Sequence, residues 1–129
     1  MKLLLVSALI AGTIGSMGTA VHASPNMMGE IAYPKESIGY EALMRGDNER
    51  AVFQIMANEQ VSSGDPAKLL NLGRAYARMG RTDDAAKMFK AVLESRDSVD
   101  LVLADGSVMN SKVAARKAYA SLLRRVAAR

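Results

Sequence analysis

Apolar residues recur at steps of three and four through residues 65–94, a period that allows little except a pair of amphipathic helices. Leu69, Leu72, Tyr76 and Met79 share one face of a first helix. Asp65 can cap it, and Pro66 suits its first turn, where no N–H is needed. Gly80 ends it, because glycine adopts the left-handed conformation after a helix without strain. Thr82 or Asp83 then caps a second helix carrying Ala85, Met88, Phe89, Val92 and Leu93 on one side. Gly73 stands mid-helix, where glycine costs about 1 kcal/mol relative to alanine. Close approach of the second helix accounts for it, with Ala85 as the expected partner.

The spacing of Leu69, Leu72-Gly73, Tyr76, Ala85 and Phe89 resembles that of the tetratricopeptide repeat family, with leucine at 69 in place of tryptophan. That family repeats about every 34 residues. One step back, Gly39, Gly46, Ala51 and Ala57 fall under Gly73, Gly80, Ala85 and Ala91. Ile38 falls under Leu72 and Ile55 under Phe89. Residues 32–65 therefore resemble a weaker first repeat, which departs at Lys35 and at Ala42, where a large apolar residue and a tyrosine are usual. The resemblance implies an all-α fold with two tetratricopeptide-like helical hairpins over residues 33–99. An unrelated helical hairpin is the alternative.

The weaker repeat predicts a helix from Pro34 to about Arg45. Asp47 or Asn48 caps its partner helix, whose apolar face carries Ala51 and Ile55, with Phe53 or Met56 as candidates to extend it. Ser62-Ser63-Gly64 closes the repeat. Past Glu94 the pattern changes. Asp105-Gly106 lies between two short β-prone runs in residues 100–109, which signals a β-hairpin, with an irregular loop as the alternative. Asn110 or Ser111 then caps a basic last helix to about Ala127, striped by Ala115, Tyr119, Leu122 and Val126. Such a helix shields the end of a repeat array. Two repeats are few for an array, so self-association or an external partner is expected to complete the burial.

Residues 1–23 read differently. Lys2 precedes an uncharged apolar run, then glycines and serines, then Val21-His22-Ala23. This is the pattern of a secretory signal peptide cut after Ala23, with an uncleaved membrane anchor as the alternative. Residues 24–32 have no helical period and read as a flexible lead-in. Export to the periplasm or beyond is the expected localisation. Cleavage would remove His22, the sole histidine, from a chain that also has no cysteine. Histidine bases, cysteine nucleophiles, histidine-held metals, disulfides and a cysteine-linked lipid then drop out. No phosphate loop or dinucleotide fingerprint occurs, so neither an enzyme nor a cofactor is expected. Asp83-Asp84 suits the first turn of a helix. Asp97, Asp100 and Asp105 are too loosely spaced for a calcium loop, and no metal is expected.

Charge is uneven along the chain. Residues 24–65 hold seven acids and three bases, whereas residues 112–129 hold six bases and no acidic side chain. The basic end could face anionic lipid or an acidic protein, or be a solvated surface; export argues against nucleic acid.

The resemblance also implies that the first helix of each repeat lines a concave groove. Tyr33, Glu36, Tyr40 and Met44 would come from the first repeat, and Leu70, Asn71, Arg74 and Arg78 from the second. Asn71, Arg74 and Arg78 stand at i, i+3 and i+7, on one helical face. Two guanidiniums and an amide could hold a carboxylate, as some members of the family hold a peptide C-terminus. A solvated helix face is the plain alternative. Arg125, on the last helix, is expected to lie outside this groove. The chain thus reads as an exported module that binds a protein or an acidic or C-terminal peptide. The competing expectation is a self-associating homo-oligomer of the cell envelope.

Overall fold

The computed structural model of the chain describes residues 39–129. The expected signal peptide, the lead-in and the groove residues Tyr33 and Glu36 lie outside the described residues. The fold is mostly helical: antiparallel helices pack on one another, and a small two-stranded hairpin precedes a C-terminal helix.

Helix α1 is Tyr40–Met44 and α2 is Asn48–Ala57. Helix α3 is Pro66–Arg78 and α4 is Thr82–Glu94. The two hairpins turn in the same way, at equivalent positions 34 residues apart. Gly46 and Gly80 have φ of 76° and 75°. Asp47 N–H donates to the Ala42 carbonyl and Arg81 N–H to the Tyr76 carbonyl, each at 2.9 Å. These six-residue bonds satisfy carbonyls that the helix end leaves open, and they need a residue tolerant of positive φ.

Of the expected helix from Pro34 to Arg45, residues 34–38 lie outside the described residues. Gly39 has φ of 59°, so α1 starts only at Tyr40. A Cβ on Gly39 would lie 2.8 Å from the Ala51 carbonyl oxygen and 3.0 Å from Ile55 Cγ1. Gly73 plays the matching part in the second hairpin, where its nearest neighbour is Phe89 rather than the expected Ala85. A Cβ there would strike the Phe89 ring, with Cδ1 at 2.8 Å. Gly39–Ile55 and Gly73–Phe89 are thus one contact made twice, a glycine giving way to a large side chain on the next helix.

Helix α3 is the centre of the molecule. It packs on α4, α2, α5 and α1, and from Pro66 to Tyr76 each of its residues except Arg74 is buried. Leu69, Leu72 and Tyr76 belong to the core, joined by Ala67, Leu70 and Ala75. Leu70 therefore does not line a groove. Asp65 caps the helix, accepting from Ala67 N at 3.0 Å and Lys68 N at 2.9 Å. Lys68 is buried, and its Nζ donates to the carbonyls of Asn58 (2.7 Å) and Val61 (3.2 Å), tying down the chain where α2 ends.

Several side chains depart from expectation. Neither Thr82 nor Asp83 caps α4; Arg81 occupies that position without a side-chain cap. Its backbone is held by the Gly80 turn, while its guanidinium pairs with Asp84 at 2.8 Å and lies 4.4 Å from the Tyr76 ring centroid. Ala51 and Ile55 are buried on α2, but Phe53 and Met56 are 73% and 62% exposed.

Strands β1 (Asp100–Val102) and β2 (Val108–Asn110) pair antiparallel, with Leu101 opposite Met109, so residues 100–109 are not an irregular loop. A bare hairpin is marginal in water. This one is anchored because Leu101 and Leu103 are buried and Val99 N–H donates to the Ser111 hydroxyl at 3.2 Å. Helix α5 is Ser111–Ala127, capped by the Asn110 side chain, which accepts from Lys112 N. It rests mainly on α4 and also on α3. Ala114, Ala115 and Leu122 are buried and Tyr119 is half-buried, but Val126 is 49% exposed and leaves the expected stripe.

Candidate functional site

A cleft of about 130 Å³ opens between α3 and α5. Helix α3 contributes Arg74, Ala77 and Arg78, and α5 contributes Ala118, Ser121 and Arg125. Phe89 of α4 forms part of its floor. On α3 these positions follow from the periodicity, since i, i+3 and i+4 share a face. On α5, Ala118, Ser121 and Arg125 again step by three and four. Two small alanines let the helices approach, and three arginines are among the lining residues.

The charged side chains that line the cleft among the described residues are all arginines. No carboxylate lines this cleft among the described residues. Arg74 is largely buried, and its Nε has no hydrogen-bond partner. Burial pushes its pKa down to about 10. Arg78 is also held below its ordinary value, first by burial and then by the positive charge of Arg125. Its Nη1 donates to the Leu43 carbonyl at 2.9 Å, which ties the cleft to α1. The arrangement favours an anion: planar guanidinium forks offer donors in fixed directions.

Of the residues expected in the groove, Arg74 and Arg78 line the cleft. Asn71 shares their helical face but is 0% exposed, and neither of its amide atoms has a hydrogen-bond partner, so it is not part of a solvated face. Tyr40 and Met44 are half-buried on α1 and do not line the cleft. Arg125, expected outside the groove, forms one of its walls. The periodicity of α5 alone could not show this, because the rotation of α5 against α3 depends on long-range packing.

A second, apolar depression of about 580 Å³ runs along α2. Val52, Phe53, Met56 and Met79 line it, with Glu49 and Arg81 at its edges. The Tyr76 hydroxyl reaches Met56 Sδ at 3.7 Å beneath it. Among the described residues no helix is long and apolar enough to cross a membrane. No family model, curated protein or solved structure matches the chain.

Proposed function

We propose that this chain is an exported module of tetratricopeptide type that binds a protein partner through an acidic or C-terminal peptide, anchored by Arg74 and Arg78. The observation that carries this reading is the largely buried Arg74 guanidinium, whose Nε has no partner, in a cleft that no carboxylate lines among the described residues. Burying such a group without compensation costs free energy, and a ligand carboxylate beside the rest of the guanidinium would offset part of that cost. The repeat reading draws support from the matched turns at Gly46 and Gly80 and from the matched contacts of Gly39 and Gly73.

The test is a panel of acidic peptides, each with a free and an amidated C-terminus, titrated against the chain lacking residues 1–23. A hydrogen bond to a charged group contributes about 1.5–3 kcal/mol, so Arg74→Ala or Arg78→Ala should weaken binding by roughly ten- to a hundredfold. Arg74→Lys should not restore it fully, because an ammonium lacks the fork. Peptides that bind both alanine variants as tightly as the wild type would refute the anchor.

The exposed Phe53 and Met56 beside the apolar depression favour a second reading, self-association through α2. Sedimentation of wild type and Phe53→Ser separates the two: a wild-type monomer removes self-association.

A further inference from the structure

We propose that the Arg74–Arg78–Arg125 cleft is an anion-operated latch, in which one oxyanion group seated between α3 and α5 fastens the C-terminal half of α5 to the body of the fold. This rests on reading the cleft as an anion site, as above, and adds that the ligand controls the helix. Neither helix holds the complete site. Helix α3 supplies two guanidiniums, and α5 supplies the third together with the Ser121 hydroxyl. Arg78 and Arg125 line the cleft from the two sides and act on each other with like sign. An oxyanion between them turns that repulsion into attraction on both sides.

The C-terminal half of α5 has little else to hold it. After Ser121 only Leu122 is buried, and residues 123–129 are all exposed. The first half is pinned by Ser111, Ala114 and Ala115 and by the β-hairpin that leads into it. A segment with few buried contacts opens locally at low cost, so one well-placed ligand governs it. The volume sets the ligand class. At 130 Å³ the cleft has room for about four waters, enough for a phosphate or a carboxylate with a short stem.

The experiment follows amide hydrogen exchange of residues 119–127 in the chain lacking residues 1–23, with ionic strength held constant by chloride. One arm adds inorganic phosphate and the other N-acetylglycine as a carboxylate. At about ten times the probe's Kd, exchange should slow about tenfold, because α5 opens only after the anion leaves. Arg74→Met should abolish the slowing while exchange at Phe89 stays protected, which shows that the body remains folded. Arg125→Gln should slow exchange in chloride alone and leave the anion nothing to add. Arg116→Gln, an exposed change on α5 outside the cleft, should keep the effect. Slowing by phosphate alone supports the latch while removing the carboxylate peptide proposed above. Slowing by N-acetylglycine supports both. No slowing in either arm, or equal slowing in Arg74→Met, overturns the latch.

Discussion

Replacing Arg74 with methionine should make the free protein more stable while weakening its binding to an acidic ligand. Methionine keeps an unbranched apolar stem against the same neighbours and removes the guanidinium. The magnitude follows from titration. Burial lowers the Arg74 pKa to about 10, well below that of an arginine in water. At about 1.4 kcal/mol per pKa unit, the charged form is disfavoured in the folded state by about 3 kcal/mol. Some packing is lost with the longer side chain, so a net gain of about 1–3 kcal/mol is expected, as when other buried ions are replaced by apolar residues. Because the folded pKa is the lower one, the unfolded chain holds the extra proton between about pH 10 and its own higher value. Wild-type stability therefore rises with pH in that window, and below it the full cost of burial is present. Urea unfolding followed by circular dichroism should show the methionine variant ahead by a constant margin from about pH 6 to 9, with the margin narrowing above pH 10. A variant less stable than wild type at neutral pH would falsify the claim that this guanidinium is uncompensated.

Three further outcomes are expected. Gly73→Ala should cost about 1–3 kcal/mol, because its Cβ meets the Phe89 ring, and Ala85→Leu should cost a similar amount at a site that is 0% exposed; Ala86→Leu, on the half-buried side, should cost less, and equal melting temperatures for the two leucine variants would refute the packing account. Lys68→Met strips two carbonyls of their donor and should cost about 1–3 kcal/mol with faster proteolysis between α2 and α3, whereas unchanged cleavage would show that Lys68 does not hold that loop. The intact mass of protein from its native host should correspond to a chain starting at Ser24, and a mass that retains Met1 would favour the anchor.

The second hairpin was legible because its signals are local. Asp65, Pro66 and Gly80 act within a turn of where they stand, and the i, i+3, i+4 pattern from Leu69 to Met79 needs no knowledge of the rest of the chain. The limit of periodicity shows at Leu70 and Asn71. On a helix with one buried face they would meet solvent, yet α3 is covered by four other helices. Burial all round comes from tertiary neighbours, and a pattern of spacing cannot count neighbours. Gly39 shows a different limit. Its alignment under Gly73 located a close contact correctly but suggested helical backbone, and only the left-handed φ reveals that the helix starts after it.

The site was half legible for the same reason. Arg74 and Arg78 are positioned by the helix that carries them, so their shared face could be read directly. Arg125 depends on how α5 is rotated, and that is fixed by residues well apart in sequence. Ser111 is bonded to Val99, the hairpin buries Leu101 and Leu103, and Ala114, Ala115 and Leu122 face the core. With those contacts set, the period of α5 leaves Ala118, Ser121 and Arg125 facing α3. Nothing in this packing requires a positive charge at 125: residues 123–129 are exposed, and an arginine free to point into solvent gains nothing by approaching Arg78. Arg125 acts on Arg78 with like sign, and the anion proposed above would turn that action into a shared attraction.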